Sequence, residues 1–190
     1  MTAILRDVSN TDRGTRDRIL RAAFALFYKR GINATGVKEL HQEANVSIRT
    51  LYNHFPSKDD VVVAYLERTT EGSPLDRTDL PPRERLLSIF TTPKYVDGPY
   101  RGCPMINASA ELADPDHPAH RYSAKRKIRF AELLVDIARE AGATDPETLG
   151  QQLALLYDGF SARSMVLNSA DPRQVALQLA TQLVDAQLTR

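Results

Sequence analysis

Residues 33–58 read NATGVKELHQEANVSIRTLYNHFPSK, and this stretch predicts two short helices joined by a tight turn. In its first half, Val37, Leu40 and Ala44 recur at the spacing of one helix face. Asn45 follows at a point where a helix commonly ends in the left-handed conformation, which asparagine tolerates better than most residues. We therefore expect the first helix to end just before this asparagine.

The second half of the stretch predicts a helix with one apolar and one polar face. Ser47 is suited to cap it, because a serine oxygen accepts hydrogen bonds from the free amides of a first helical turn. Ile48, Leu51 and Phe55 define the apolar face. The opposite face carries hydrogen-bonding side chains, namely Arg49, Thr50, Tyr52, Asn53 and His54. Two helices joined in this way indicate a helix-turn-helix, a motif that places its second helix in the major groove of DNA.

The same residues carry a resemblance to a known family. The run VSIRTLYNHFPSK at 46–58 resembles the signature of the tetracycline-repressor (TetR) family of transcriptional regulators. Upstream, residues 19–31 and 35–37 are similar to that family's first helix and the turn after it. Asn45 stands where the family's turn usually has glycine, and His41 stands where the preceding helix usually has a small residue. The resemblance spans the N-terminal part of the chain.

Composition is typical of a soluble globular protein, since 26% of the 190 residues are charged and 42% are hydrophobic. A chain of this length accommodates one large domain or two small ones. No apolar run approaches the roughly 18 residues of a membrane span, and the first residues lack the apolar core of a secretory signal. Cys103 is the single cysteine, which allows no internal disulfide. A reducing cytoplasm is therefore the expected location, without membrane association.

Charge is unevenly distributed along the chain. Residues 1–70 contain 11 Lys and Arg against 8 Asp and Glu, whereas residues 71–190 contain 14 against 16. The positive excess at the N-terminus fits a surface that faces nucleic acid. It is modest, and the motif rather than the charge identifies the DNA-binding region.

Periodicity, caps and proline-rich breaks divide the rest of the chain into helices. Residues 1–12 lack periodicity and are expected to form a mobile arm, followed by a first helix at 15–29. Ser57 is expected to cap a fourth helix, which ends before a loop at 71–82. Further helices are predicted at 83–93, 105–113, 120–141, 146–169 and 172–188, with a Gly/Pro-rich loop at 95–104.

These elements predict an all-α fold. A three-helix DNA-binding domain is expected at 1–57. The larger helical region, 58–190, is by resemblance an effector-binding and dimerisation domain.

The N-terminal residues of the second helix should lie nearest the base edges, which singles out Ser47, Ile48, Arg49 and Thr50. Arg49 is long enough for a bidentate contact with guanine, and Thr50 suits a hydrogen bond or a thymine methyl. Asn53 is a further polar candidate on the same face. The resemblance implies phosphate contacts for Tyr52, His54 and Lys58, and Thr35 offers a hydroxyl to another phosphate. The alternative is that the cations are merely solvated and the tyrosine is packed. The sequence does not decide whether His41 contacts a phosphate or is an ordinary surface residue.

A ligand pocket is expected among the helices after Arg83. Residues 102–112 resemble a segment found in one subset of the family, where this helix borders the effector cavity. The pocket candidates are Phe90, Met105, Asn107, Phe130, Tyr157 and Phe160. The sequence does not decide whether Cys103 is a sensing thiol or a buried structural cysteine. His117 and His120 favour a loop over a metal site, and no spacing indicates a cofactor or catalytic group.

The last two predicted helices are apolar over a wide arc. The first carries a stripe of Leu149, Leu153 and Leu156, and the second carries Val175, Leu179 and Leu183. The core of one subunit is one way to bury these arcs. The resemblance implies another, a four-helix interface between two subunits. A dimer also suits a helix-turn-helix, which commonly binds two half-sites in successive major grooves.

Together these features predict a homodimeric transcriptional regulator, a repressor that binds a palindromic DNA operator and is released by a small molecule. Activation in place of repression stays open, as do the identities of the effector and the operator. One competing class is a helical enzyme or carrier, which would require paired carboxylates, an activated nucleophile or metal ligands. Another is an architectural DNA binder without an effector, which would have a solid C-terminal core.

Overall fold

The computed structural model describes residues 10–91 and 100–188. Within these ranges the chain forms α-helices and one short 3-10 helix, with no strand. The α-helices are α1 Asn10–Arg30, α2 Val37–Glu43, α3 Ile48–His54, α4 Lys58–Arg68, α5 Pro82–Thr91, α6 Pro104–Glu111, α7 Pro118–Glu140, α8 Pro146–Leu167 and α9 Asp171–Leu188. The all-α prediction is confirmed.

Local signals decide most helix ends. Ser57 caps α4: its hydroxyl accepts from the Asp60 N–H at 3.1 Å, while the Asp60 carboxylate accepts from the Ser57 N–H at 2.9 Å. Asp145 caps α8 in the same way, accepting from the Thr148 N–H at 3.1 Å, with proline at the first helical position. Gly31 ends α1 at a φ of +99°, a left-handed value that favours glycine. These ends depend on neighbours only three or four residues away.

Two helices start two or more residues before the predicted position. Helix α1 begins at Asn10 rather than at residue 15. The prediction missed these first residues because they are polar and show no apolar periodicity. Residues 10–12 of the mobile arm predicted at 1–12 belong to α1, and the rest of the arm lies outside the described residues. Helix α7 begins at Pro118, two residues early, because the His117 side chain accepts from the Ala119 N–H at 3.2 Å and caps it. Residues 95–99 of the loop predicted at 95–104 also lie outside the described residues.

The buried apolar side chains form two clusters. One contains residues from the four N-terminal helices, α1 through α4, together with Met105, Ala108 and Ala119 from α6 and α7. The other joins α5, α7, α8 and α9. Helix α4 thus packs with the N-terminal helices along its length, and it also contacts α7. The domain boundary between residues 57 and 58 stays a prediction.

Candidate nucleic-acid interface and effector cavity

The turn between α2 and α3 is held by its own backbone. Asn45 has a φ of +50°, as expected for the left-handed position. The Val46 N–H donates to the His41 carbonyl at 3.0 Å, and the His41 ring nitrogen Nδ1 lies 3.1 Å from the Val46 carbonyl oxygen. His41 is half-buried and therefore has a structural role in the turn, which neither of its expected alternatives described.

Helix α3 is capped as the sequence indicates, and two of the three residues of its predicted apolar face anchor it. Ser47 accepts from the Thr50 N–H at 3.0 Å, and the two hydroxyl oxygens lie 2.7 Å apart. Leu51 and Phe55 are buried beneath the helix. The guanidinium carbon of Arg16 lies 5.1 Å from the centre of the Phe55 ring, so α1 supports α3 from below. The polar face is therefore fixed in orientation and turned outward.

That outward face contains most of the predicted DNA contacts. Ile48 and Tyr52 retain 49% and 45% of their exposure, although both are large and partly apolar. Arg49 and Asn53 are exposed beside them, and His54 is half-buried. Guanidinium, amide and phenol groups on one exposed face can donate hydrogen bonds to base edges and phosphates. An isoleucine left open beside them suits an apolar contact such as a thymine methyl.

Thr35 needs correction as a predicted phosphate contact, and Lys58, another predicted contact, has a backbone partner. Thr35 is fully buried and its hydroxyl donates to the Gly31 carbonyl at 2.8 Å, so it fastens the loop between α1 and α2. Gly36 is the N-cap residue of α2. Lys58 is half-buried, and its Nζ donates to the Ile32 carbonyl at 2.7 Å. Both side chains satisfy backbone carbonyls of the same loop. Sequence spacing did not indicate this, since the Lys58 partner lies 26 residues away.

A cavity of about 100 Å³ lies where α4, α5, α6, α7 and α8 approach one another. Three of the predicted pocket residues line it: Met105, Phe130 and Tyr157. The other lining residues are Thr69, Thr70, Ser73, Pro74, Ile89, Tyr100, Gly102, Cys103, Pro104, Arg126 and Lys127. Burial raises the pKa of the Tyr157 hydroxyl, which keeps it protonated at neutral pH. The cavity therefore combines an apolar wall with hydroxyl and cationic groups.

The remaining three predicted pocket residues do not line the cavity. Phe90 and Phe160 lie behind the wall, with ring centres 5.8 Å apart, and both pack against Tyr157. The Asn107 side chain donates to the Arg101 carbonyl at 2.6 Å and holds the chain before α6. Conversely, Arg126 lines the cavity but was not among the predicted pocket residues. From the sequence alone, a cation on the polar side of an amphipathic helix is interpreted as solvated, and only the packing of α7 shows otherwise.

Helices α8 and α9 leave an apolar groove open on the outside of the subunit. Leu155, Val175 and Leu179 are 76%, 55% and 45% exposed, and all three line the groove. Leu156 and Leu183 line it as well and are half-buried. Four of the six residues predicted for a dimer interface thus lie on this face.

The other two residues predicted for the dimer interface do not lie on this face. Leu149 and Leu153 are fully buried in the core of their own subunit, against α7. They cannot contact a second subunit while that core is intact. Leu155, on the opposite side of α8, was not among the predicted residues.

Two chemical possibilities find no support in the described part of the chain. It contains no helix long and apolar enough to cross a membrane. It also contains no group of three or more His, Cys, Asp or Glu side chains placed to hold a metal ion. His120 lies with its Nδ1 3.0 Å from the Leu112 carbonyl oxygen, and His117 caps α7, so both histidines stabilise the connection between α6 and α7.

The fold and the exposed face of α3 define a helix-turn-helix protein with a larger helical C-terminal region. Residues 19–65 match the family model of the bacterial regulatory proteins of the TetR family. The transcriptional repressor KstR of Rhodococcus jostii is 35% identical over 153 residues, covering 77% of this chain and 68% of KstR. The repressor NemR of Escherichia coli is 26% identical over 185 residues, covering 88% of this chain and 92% of NemR.

A solved structure gives the same result. The crystal structure of a TetR-type regulator from Streptomyces avermitilis is 32% identical, with a TM-score of 0.76 over 93% of this chain and 99% of that one. The chain therefore belongs to the TetR family, and it is a DNA-binding transcriptional regulator.

Proposed function

We propose that this regulator is a repressor that binds a palindromic operator as a homodimer and leaves it when a small molecule occupies the cavity. The apolar groove formed by α8 and α9 is the observation that carries the proposal. Leu155 and Val175 are largely exposed in the single subunit. Burying their apolar surface against a second copy of the chain would be favourable in free energy.

The geometry of DNA supports a dimer. One short helix reaches only a few base pairs, so a pair of subunits related by a two-fold axis reads two half-sites about one helical turn apart. Because the two half-sites face opposite directions, the operator is an inverted repeat. Arg49, Tyr52 and Asn53 are exposed on α3, which supports them as the side chains of each subunit that contact it.

Repression is supported by the relatives. KstR and NemR are both named transcriptional repressors, and their matches extend beyond the helix-turn-helix into the C-terminal region. A cytoplasmic location, where the operator is found, belongs to the same proposal.

The position of α4 supports control by a ligand. Helix α4 begins at Lys58, four residues after the end of α3, and the residues just past its other end, Thr69 and Thr70, line the cavity. A molecule that favours a different position of this wall therefore favours a different position of α3. It shifts the dimer only by the difference between its affinities for the two arrangements.

The test is selection of the purified protein against random duplex DNA. The expected product is an enriched inverted repeat, protected on both half-sites in a footprint. Operator release is then screened with small organic molecules. An enriched site without two-fold symmetry would contradict the homodimeric repressor. A symmetric site that no molecule releases would instead favour a DNA binder without an effector.

A further inference from the structure

The cavity has an unbalanced set of charges. Two cations line it, Arg126 and Lys127, which are adjacent on α7, and the described residues that line it include no carboxylate. Lys127 is neutralised from outside the wall, because its ammonium group forms an ion pair with Asp158 of α8. The same ammonium lies 5.7 Å from the centre of the Tyr157 ring and 6.0 Å from that of Phe130. Lys127 is thus held by partners of its own.

Arg126 has no such partner. Its Nε is buried and forms no hydrogen bond, and no carboxylate among the described residues pairs with its guanidinium. A buried donor without an acceptor is costly, and most buried polar groups in native proteins are satisfied. Arginine also has a rigid planar set of donors that matches a carboxylate in a bidentate way. The unpaired guanidinium at the cavity wall therefore has the chemistry of an anion-binding group.

Three hydroxyl groups of the wall are engaged with the backbone. The Thr69 and Thr70 hydroxyls each donate to a backbone carbonyl at 2.7 Å, and the Ser73 hydroxyl accepts from the Leu75 N–H. The rest of the lining is mainly apolar and aromatic, including Ile89, Met105 and Phe130. A ligand therefore meets one unpaired cation and the tyrosine hydroxyls of Tyr100 and Tyr157 on a mainly apolar surface.

We infer that the effector is a small organic monoanion, a carboxylate on an apolar body of about one ring, with Arg126 as the group that binds the carboxylate. This inference rests on the proposed effector role of the cavity. A monoanion is favoured over a phosphate or another dianion because only one of the two cations is free to bind it, and Asp158 would repel a second negative charge.

The size of the cavity agrees with a small body. At about 100 Å³ it is smaller than the engineered cavity of about 150 Å³ that binds benzene in another protein. The wall that a single ring would contact includes Thr69 and Thr70, beside the end of α4. Occupancy of the cavity would therefore act directly on the end of α4.

The experiment compares carboxylic acids with their neutral amides. Phenylacetate and phenylacetamide, benzoate and benzamide, and hexanoate and hexanamide are titrated into the full-length protein by ligand-observed NMR and calorimetry. For at least one pair, the acid is expected to bind about tenfold tighter or more, as for a hydrogen bond to a charged group.

Variants at and beside the anchor assign the preference. In Arg126→Gln the acid should lose this advantage while the affinity for the amide stays unchanged. Arg126→Lys keeps the charge and should retain a preference for the acid, which a variant that merely disturbs packing would not. Lys125→Gln removes an exposed cation from the same helix and should behave as the wild type.

The outcomes separate this inference from the proposed function. Equal binding of acid and amide, no binding of any pair, or an acid preference that survives in Arg126→Gln would each overturn the inference. Operator release by neutral molecules alone would also overturn it, but would leave the ligand-controlled repressor intact. Acid binding that depends on Arg126 without operator release would support the site and contradict its effector role.

Discussion

The backbone N–H of Asn33 donates to the Glu111 carboxylate at 2.8 Å, and the Asn33 side chain donates to the Glu111 carbonyl at 2.9 Å. These two bonds tie the last residue of α6 to the loop between α1 and α2. The first residues of α6 line the cavity, and the same loop also receives the hydrogen bond from Lys58 at the start of α4. The helix-turn-helix is therefore linked to the cavity wall through α6 as well as through α4.

The first prediction concerns Gly31, which precedes this loop. Its φ is +99°, and a Cβ at this position would lie 2.9 Å from a carboxylate oxygen of Glu111. Gly31→Ala should therefore lower the free energy of unfolding by about 1–3 kcal/mol, measured by chemical denaturation. Gly72→Ala is the matched control, because Gly72 also has a positive φ, +65°, but its Cβ would contact nothing within 4 Å.

A double-mutant cycle isolates the contact with Glu111. Gly31→Ala should cost less in a Glu111→Ala background than in the wild type, because the crowded carboxylate is gone. Strict additivity of the two changes would show that the cost arises from backbone conformation alone.

The second prediction concerns readout of the operator. Arg49→Ala should cost about 1–3 kcal/mol at one base pair of each half-site and relax the preference at that position. Arg129→Ala removes an exposed arginine of α7 instead and should leave operator affinity unchanged. The measurement is fluorescence anisotropy with single-base operator variants. A uniform loss across all variants would assign Arg49 to the phosphates rather than to the bases.

The third prediction concerns the α8 and α9 groove. Leu155→Glu and Leu179→Glu should each yield monomers that bind the operator weakly, because an unpaired charge buried in an apolar interface is strongly unfavourable. Ile128→Glu is the control, since Ile128 is 62% exposed on α7, away from the groove. Light scattering and analytical ultracentrifugation give the mass. A wild-type monomer at micromolar concentration, or a Leu155→Glu dimer, would contradict this interface.

The fourth prediction concerns the contact between α7 and α8. A Cβ at Gly150 would lie 2.6 Å from the backbone nitrogen of Val135, so the two helices approach at a point that admits only glycine. Gly150→Ala should destabilise the subunit by about 2 kcal/mol or more, since the backbone cannot move aside without opening the core. In α1, Gly14→Ala should stabilise by up to about 1 kcal/mol, because its Cβ would contact nothing within 4 Å. Thermal unfolding that shows equal changes would contradict the difference.

Short-range chemistry made much of this protein predictable from its sequence. The turn and the helix caps depend on backbone groups within about four residues, so the roles of these residues follow from spacing alone. They are Asn45, Ser47, Ser57 and Asp145. The helix-turn-helix and the apolar anchors of α3 follow from the same local rules. For this reason the fold class and the approximate helix bounds could be inferred before any tertiary contact was known, whereas the family was inferred from the resemblance of residues 46–58 to its signature.

The tertiary structure decided which of several equivalent side chains face the functional surfaces. Helix α8 is apolar on more than one side, and the approach of Gly150 to Val135 turns Leu149 and Leu153 inward and leaves Leu155 outside. Arg126 and Lys127 are neighbours of similar charge, yet only Lys127 meets Asp158, 31 residues away. Such choices depend on pairings between distant residues that exist only after the helices pack, and local periodicity contains no information about them.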